Sequence, residues 1–232
     1  ETGFEESRSH YDDPDKVTVT GTPVREDFFR YTRKQARQQL GLTDQAPLVL
    51  SVWGSLGAEV MNRQMAECIA RECAGGAPFH HIHGAGRNYS DLLADLKTRG
   101  IDRKRYPQID VREYIYDMPL VMAAADLVLC RAGASTIAEI TAIARPAVLV
   151  PSPNVVADHQ TKNARVLERA GGAVLLPESA CSGAALYGQI RTLLDDPGRR
   201  ERMSRSLRDM AVPDAAERIY ETLRALMEKT GE

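Results

Sequence analysis

Four stretches of the chain combine small residues with hydroxyl, amide or charged side chains at spacings that suit ligand chemistry. The first is Trp53-Gly54-Ser55-Leu56-Gly57-Ala58. Its glycines let the backbone approach a ligand, a helix starting near Ala58 presents free N–H groups, and Ser55 adds a hydroxyl. A plain tight turn accounts for it equally well. The second is Cys130-Arg131-Ala132-Gly133-Ala134-Ser135-Thr136-Ile137-Ala138-Glu139. Here Ser135 and Thr136 are placed to cap a helix and donate to a phosphate whose charge Arg131 offsets. Glu139 lies one turn beyond Ser135 on about the same face, where a carboxylate accepts from both hydroxyls of a ribose. The plainer alternative is a capped helix with a solvated glutamate.

The third stretch is Asp158-His159-Gln160-Thr161-Lys162-Asn163-Ala164. Gln160 is suited to bond sugar hydroxyls through both ends of its amide. His159 has the chemistry of a general base, but a surface histidine at a helix start is the more economical reading. The fourth is Tyr114-Ile115-Tyr116-Asp117-Met118, where a flat base can slot in and bond the Ile115 backbone. An ordinary loop explains that stretch as well.

Together, two anion-receptive helix starts, a ribose carboxylate and a sugar-binding amide point to a nucleotide-sugar diphosphate. The dinucleotide fingerprint and the phosphate-loop lysine motif are both absent, which disfavours NAD and an ATPase. No metal or cofactor is expected. His80, His81 and His83 fall on or near a strand whose alternation sends His81 to the opposite face, and His80 and His83 are poorly placed as a pair. Cys68, Cys73, Cys130 and Cys181 lack C-x-x-C spacing and read as free thiols of a reducing cytoplasm.

These loops need a scaffold that brings them to one edge. Short apolar runs at 48–53, 126–130, 147–150 and 173–176 alternate with helical patterns near 58–73, 88–99, 134–144 and 158–170. Weaker strands are read at 79–83 and 111–115, and a lead-in strand at 17–20. The alternation predicts an α/β fold, a Rossmann-like doubly wound parallel sheet with ligands outside the carboxyl ends of its strands. After Leu176 the pattern is helical. Asp195-Asp196-Pro197-Gly198 breaks one helix and starts another, and Asp214 is placed to cap a last one running to about Met227.

With 232 residues, 43% apolar and 27% charged, the chain suits one large globular domain or two small ones. A formal charge of −2 argues against a nucleic-acid partner. The longest nearly apolar stretch, 118–130, is interrupted by Asp126 and falls short of the ~20 residues of a membrane span. A cytoplasmic chain is expected. No strand or Gly-rich loop precedes Phe4, so the chain reads as a fragment or a subunit.

The ordered set of motifs resembles a known family. Val19-Thr20-Gly21-Thr22-Pro23-Val24-Arg25, the turn at 54–58, the segment at 130–139, the segment at 158–164 and Val212-Pro213-Asp214-Ala215-Ala216-Glu217-Arg218 follow one another as in the C-terminal half of the MurG family of peptidoglycan N-acetylglucosaminyltransferases. The resemblance runs from about Phe4 to about Met227. It implies the C-terminal domain of a GT-B glycosyltransferase, in which two Rossmann-like domains face each other across a cleft. It further implies UDP-N-acetylglucosamine as donor and lipid I as acceptor, bound through an N-terminal domain that also makes the membrane contact. The expected reaction yields lipid II and inverts the anomeric carbon.

Carried over by position, Arg25 resembles the family's donor-contacting arginine and Ser55 its phosphate-contacting serine. Ile115 resembles the residue whose backbone reads uracil. Ala134, Ser135, Thr136, Ile137, Ala138 and Glu139 correspond to the diphosphate and ribose segment, and Gln160, with its neighbour His159, to the sugar-contacting glutamine. Trp53 departs from the family's glycine, and its indole either packs beneath the turn or narrows the phosphate site. The resemblance places the catalytic base in the N-terminal domain. It divides the chain into an interdomain lead-in at 1–24, a UDP-sugar-binding domain at 25–211 and a C-terminal helix at 212–232 that packs towards that other domain. The alternatives are a donor-binding subunit of a split transferase, a UDP-N-acetylglucosamine epimerase-like protein and a non-catalytic nucleotide-sugar-binding module.

Overall fold

The computed structural model describes residues 3, 8, 12–54 and 58–230, without the side chains of 229 and 230. Six strands form one parallel sheet: β1 (Leu48–Val52), β2 (His80–Gly84), β3 (Ile109–Arg112), β4 (Leu127–Cys130), β5 (Ala147–Leu149) and β6 (Ala173–Leu175). Their spatial order is β3-β2-β1-β4-β5-β6. Between them run α1 (Arg33–Gln39), α2 (Glu59–Ala74), α3 (Tyr89–Thr98), α4 (Met118–Ala124), α5 (Ala134–Ile143) and α6 (His159–Arg169). They are followed by α7 (Gly183–Leu194), α8 (Pro197–Met210) and α9 (Ala215–Thr230).

Alternation along the central strands divides the core. Val49, Leu127 and Leu129 face a layer containing Met61, Met65 and Ile69 of α2 and Leu186 and Ile190 of α7. Leu48, Leu50 and Val128 face the opposite layer, with Val121 and Met122 of α4, Ile137 and Ile140 of α5 and Leu167 of α6. Both sheet faces are thus covered, and the strands are apolar almost throughout. The register also fixes where the strands end. Arg112, Gly84, Val52, Cys130, Leu149 and Leu175 form one continuous row across all six strands. The loops that follow therefore start level with one another.

The doubly wound sheet confirms the fold expected from the sequence. Two local readings are corrected, those of the third strand and the lead-in, and the apolar stretch after residue 117 takes a definite form. The third strand is Ile109–Arg112 rather than 111–115, and residues 113–116 form a loop. There the Arg112 and Glu113 carbonyls accept from the Ala85 and Gly86 amides, and Tyr116 is 88% exposed. The stretch 118–124, too short to span a membrane, is a buried helix beside the sheet. The lead-in at 17–20 contains a single bridge residue, Val19, rather than a strand. Helix α1, opened by a Thr32–Gln35 capping box, has too few apolar positions to show a period. Asp214 stands just before α9, where its carboxylate accepts from Arg218 Nε at 3.0 Å, a side-chain contact rather than a cap on the first-turn amides.

The amino ends of β1 and β4 are fastened by one carboxylate. Asp126 Oδ2 accepts from the Leu48 amide at 2.8 Å and from Arg37 Nη1 at 3.2 Å, while Oδ1 accepts from Arg33 Nη2 at 2.6 Å. Arg37 is fully buried, and its guanidinium also donates to the carbonyls of Thr43, Ala46 and Ala124. Removing one partner of a buried pair strands the other charge. Asp126→Ala is expected to cost about 3–5 kcal/mol, a fall of roughly 10 °C in Tm for a chain of this size. Thermal unfolding followed by circular dichroism measures it, and an unchanged Tm refutes this role for Asp126.

Candidate functional site

The sheet order reverses direction between β1 and β4, and α2 and α5 leave these adjacent strands on opposite faces. A crevice opens there, at the carboxyl ends of the strands, as in other doubly wound sheets. It is a cavity of about 550 Å³, within the usual range for small-molecule sites. Arg25, Ile115, Arg131, Thr136, Glu139 and Gln160, which sequence reading picked from four separate segments, all line it. Gly54 holds φ +90° at its edge, with nothing within 4 Å of where a side chain would begin. The chain can turn there because glycine tolerates this conformation.

Glu139 stands out by what it lacks. Its half-buried carboxylate faces the cavity without a hydrogen bond to any described residue. Burial raises its pKa above the usual carboxylate value, and the Arg25 guanidinium partly opposes that. Arg25 is exposed and rests 5.5 Å over the Phe28 ring. Nearby, α5 begins at Gly133 with no side-chain cap and no acidic residue in its first turn. Its first amides are left to an incoming anion. Thr136 adds a hydroxyl at the cavity wall. Cys130 is no nucleophile, because burial and then Glu139 push its thiol far up.

Two expected roles change. Arg131 is not a free cation: Nη1 donates to the carbonyls of Val150 and Pro151 at 3.1 and 3.2 Å, and Nη2 meets Glu178 at 2.5 Å. It ties the β4 and β5 loops together rather than offering a full charge to a phosphate. Gln160 has one free end, not two. Its Oε1 accepts from the amides of Ala132 at 3.3 Å and Ser152 at 3.0 Å, leaving only the NH₂ group for a ligand.

The other candidates are scattered. Ser135 is exposed on the first turn of α5. Ala134, Ile137 and Ala138 line a separate crevice of about 30 Å³ with Gly21 and Met210. His159 is exposed and donates Nδ1–H to the Val156 carbonyl at 2.9 Å. Just before it, Ala157 and Asp158 both hold left-handed backbone, φ +53° and +51°, a costly conformation for residues other than glycine. Ser55 lies outside the described residues. Trp53 is buried in the apolar cluster under α2 and also lines the cavity. Sequence reading missed the β2 side of the wall, Gly84 and Gly86, and also Glu113 and Ser152. The G-x-G spacing at 84–86 was the available signal.

A family model described as the glycosyltransferase family 28 C-terminal domain matches residues 48–219, which include both strands and helices of the switch point. The chain belongs to this family. It is 39% identical, over 97% of its own length, to a UDP-N-acetylglucosamine–N-acetylmuramyl-(pentapeptide) pyrophosphoryl-undecaprenol N-acetylglucosamine transferase of Acetivibrio thermocellus. A Thermoanaerobacter protein of the same name is 37% identical over 96% of the chain. The family 28 chain spans about 60% of the length of these curated relatives. Among solved structures it resembles Acinetobacter baumannii MurG at TM-score 0.70 and 26% identity, covering 91% of this chain and 58% of that one. The match corresponds to the C-terminal half of such a protein and bears out the Rossmann-like domain of a GT-B glycosyltransferase. A Neisseria meningitidis UDP-GlcNAc 2-epimerase shares the fold alone, at TM-score 0.64 and 15% identity.

Glu139 yields a pH prediction. Its folded pKa lies above the ordinary value, so the folded state holds this proton more tightly than the unfolded one. The group therefore destabilises the fold increasingly as pH rises from the ordinary carboxyl value through the raised one, and is neutral below both. Glu139→Gln is expected to raise Tm near pH 7.5 and to leave it unchanged near pH 3. Thermal melts at both values test this, and an equal shift at both contradicts it.

Proposed function

We propose that the cavity holds UDP-N-acetylglucosamine, and that this chain is the donor-binding half of the transferase that converts lipid I to lipid II. The observation that carries the reading is Glu139: a half-buried carboxylate with no hydrogen bond to any described residue, beside the uncapped start of α5. Membership in glycosyltransferase family 28 supports it, as do the names of the relatives.

Each side chain then has a task. Glu139 accepts from the ribose hydroxyls, and its raised pKa is the cost of waiting for them desolvated. Uracil lies against Ile115 and bonds its backbone, to which no described residue bonds. The diphosphate sits before the first turn of α5, with Thr136, Ser135 and Ser55 as hydroxyl donors and Ala134 to Ala138 as the surrounding helix. The Gln160 NH₂ group donates to the sugar, with His159 as its neighbour, and exposed Arg25 closes on the ligand from the lead-in side. Arg131 holds the loops in register from behind.

The acceptor 4-hydroxyl attacks the anomeric carbon, and the bond to the diphosphate breaks with inversion. Negative charge grows on the departing UDP, where oriented amides of α5 stabilise it without reorganising. The base that takes the hydroxyl proton comes from the facing N-terminal domain, as does the lipid I site. Among the described residues no helix is long and apolar enough to cross a membrane. The whole enzyme works at the cytoplasmic face of the membrane through that other domain. Helix α9 carries exposed Tyr220, Leu223, Leu226 and Met227. It packs towards the N-terminal domain, and the lead-in at 1–24 joins the two.

Titration calorimetry with UDP tests the reading. Glu139→Ala should weaken binding about 10- to 100-fold, the range for hydrogen bonds to a charged group. Gln160→Ala should weaken UDP-N-acetylglucosamine and leave UDP unchanged. No binding by the wild-type chain, or equal affinity in Glu139→Ala, overturns it. Restoring the N-terminal half and finding donor binding without transfer points instead to a non-catalytic module.

A further inference from the structure

Under the cavity, on the α2 side of the sheet, a line of polar side chains remains that ligand contact does not use. It runs from Glu72 through His81, Ser51 and His83 to Asn62, and ends on the Ala85 carbonyl. Asn62 is 3% exposed and the other four side chains are fully buried. His81 and His83 share a strand face because the side-chain period is two, and Ser51 of β1 pairs with His83 in register. His81 Nδ1 lies 2.9 and 3.0 Å from the two Glu72 oxygens. Ser51 Oγ lies 2.7 Å from both His81 Nε2 and His83 Nδ1. His83 Nε2 lies 3.2 Å from Asn62 Oδ1, and Asn62 Nδ2 lies 2.8 Å from the Ala85 carbonyl.

Donor and acceptor rules fix the direction of this line. A carbonyl only accepts, so the Asn62 NH₂ must face Ala85 and its Oδ1 must face His83. His83 then carries its proton on Nε2. Burial drives the His83 pKa down to about 3, so the ring is neutral and its Nδ1 is a lone pair. That lone pair needs the Ser51 hydrogen. The alternative acceptor for that hydrogen, the Met65 sulfur at 3.9 Å, is a weak one. Having given its hydrogen to His83, Ser51 accepts from His81, which therefore carries a proton on Nε2. The contact between His81 Nδ1 and Glu72 needs another proton, on the ring or on the carboxyl. Cys68 Sγ, 3.4 Å from Glu72, remains a thiol and donates to it. Cys73 on α2 and Cys181 before α7 are neutral thiols as well.

We infer that Glu72, His81, Ser51, His83 and Asn62 form a one-directional positioning relay. It stores one proton shared between Glu72 and His81 and pins the Ala85–Gly86 turn that walls the cavity. The turn matters because the Ala85 and Gly86 amides donate to the Arg112 and Glu113 carbonyls, immediately before Ile115. Gly86, at φ +64°, is itself in the cavity wall. Helix α2 thus sets the position of the loop opposite α5 through side chains that never touch a ligand. The positioning role rests on the proposal that the cavity binds a UDP-sugar; the proton pattern does not.

Long-range ¹H–¹⁵N correlation spectra of the imidazoles in the full chain decide the pattern. His83 is expected to be protonated on Nε2 alone, and His81 to be protonated on Nε2. A proton on His83 Nδ1, or a bare His81 Nε2, overturns the relay. Calorimetry with UDP tests the positioning. Asn62→Leu should weaken binding about fivefold, the scale of one lost hydrogen bond, with a wild-type circular dichroism spectrum. Equal affinity in a folded Asn62→Leu refutes the positioning role. Absence of UDP binding by the wild type refutes the cavity assignment instead, and the imidazole spectra still decide the relay.

Discussion

The structure depends on one geometric constraint, the level ending of six parallel strands. The row from Arg112 to Leu175 brings every following loop to the same height. The reversal of strand order between β1 and β4 then separates two helices that would otherwise crowd each other. Burial of apolar strand residues on both faces holds this arrangement. Asp126 fastens the amino ends of β1 and β4, so the opening lies at the other end of the same pair.

Around that opening the ionic groups are handled in two opposite ways. Arg131 is held by two carbonyls and paired with Glu178, and serves as a rivet. Glu139 has no hydrogen bond among the described residues and is disfavoured as an anion by burial. A site is distinguished less by which charged residues it contains than by which of them the fold leaves unsatisfied. The same contrast separates the two ends of Gln160, one committed to backbone amides and one open.

Much of this was legible in the chain. Strand–helix alternation, with small residues between, gave away the sheet and its ligand edge. That Glu139 reaches the crevice could be read from local spacing, because helix periodicity fixes which way it faces relative to the start of α5. What could not be read depended on distant partners. Arg131 is bound by a glutamate forty-seven positions away, and nothing in its own segment signals that. His81 and His83 look like isolated histidines until α2 supplies Glu72 and Asn62 from above the strand. The third strand was misplaced because Tyr114 and Ile115 have strand propensity, while the β2 turn captures the carbonyls of Arg112 and Glu113 and ends the pairing.

The Gln160 side chain has a consequence for discrimination. Its carbonyl end is held by two amides from different loops, so the carboxamide cannot rotate to suit its ligand. It meets any ligand only as a giver of hydrogens. Hydroxyl, ether and carbonyl oxygens can all accept from such a group, whereas a group that only donates cannot. The contact therefore selects an acceptor at that place and turns away a group that can only donate. A choice between two ligands that both place an acceptor there has to come from shape or contacts elsewhere in the crevice.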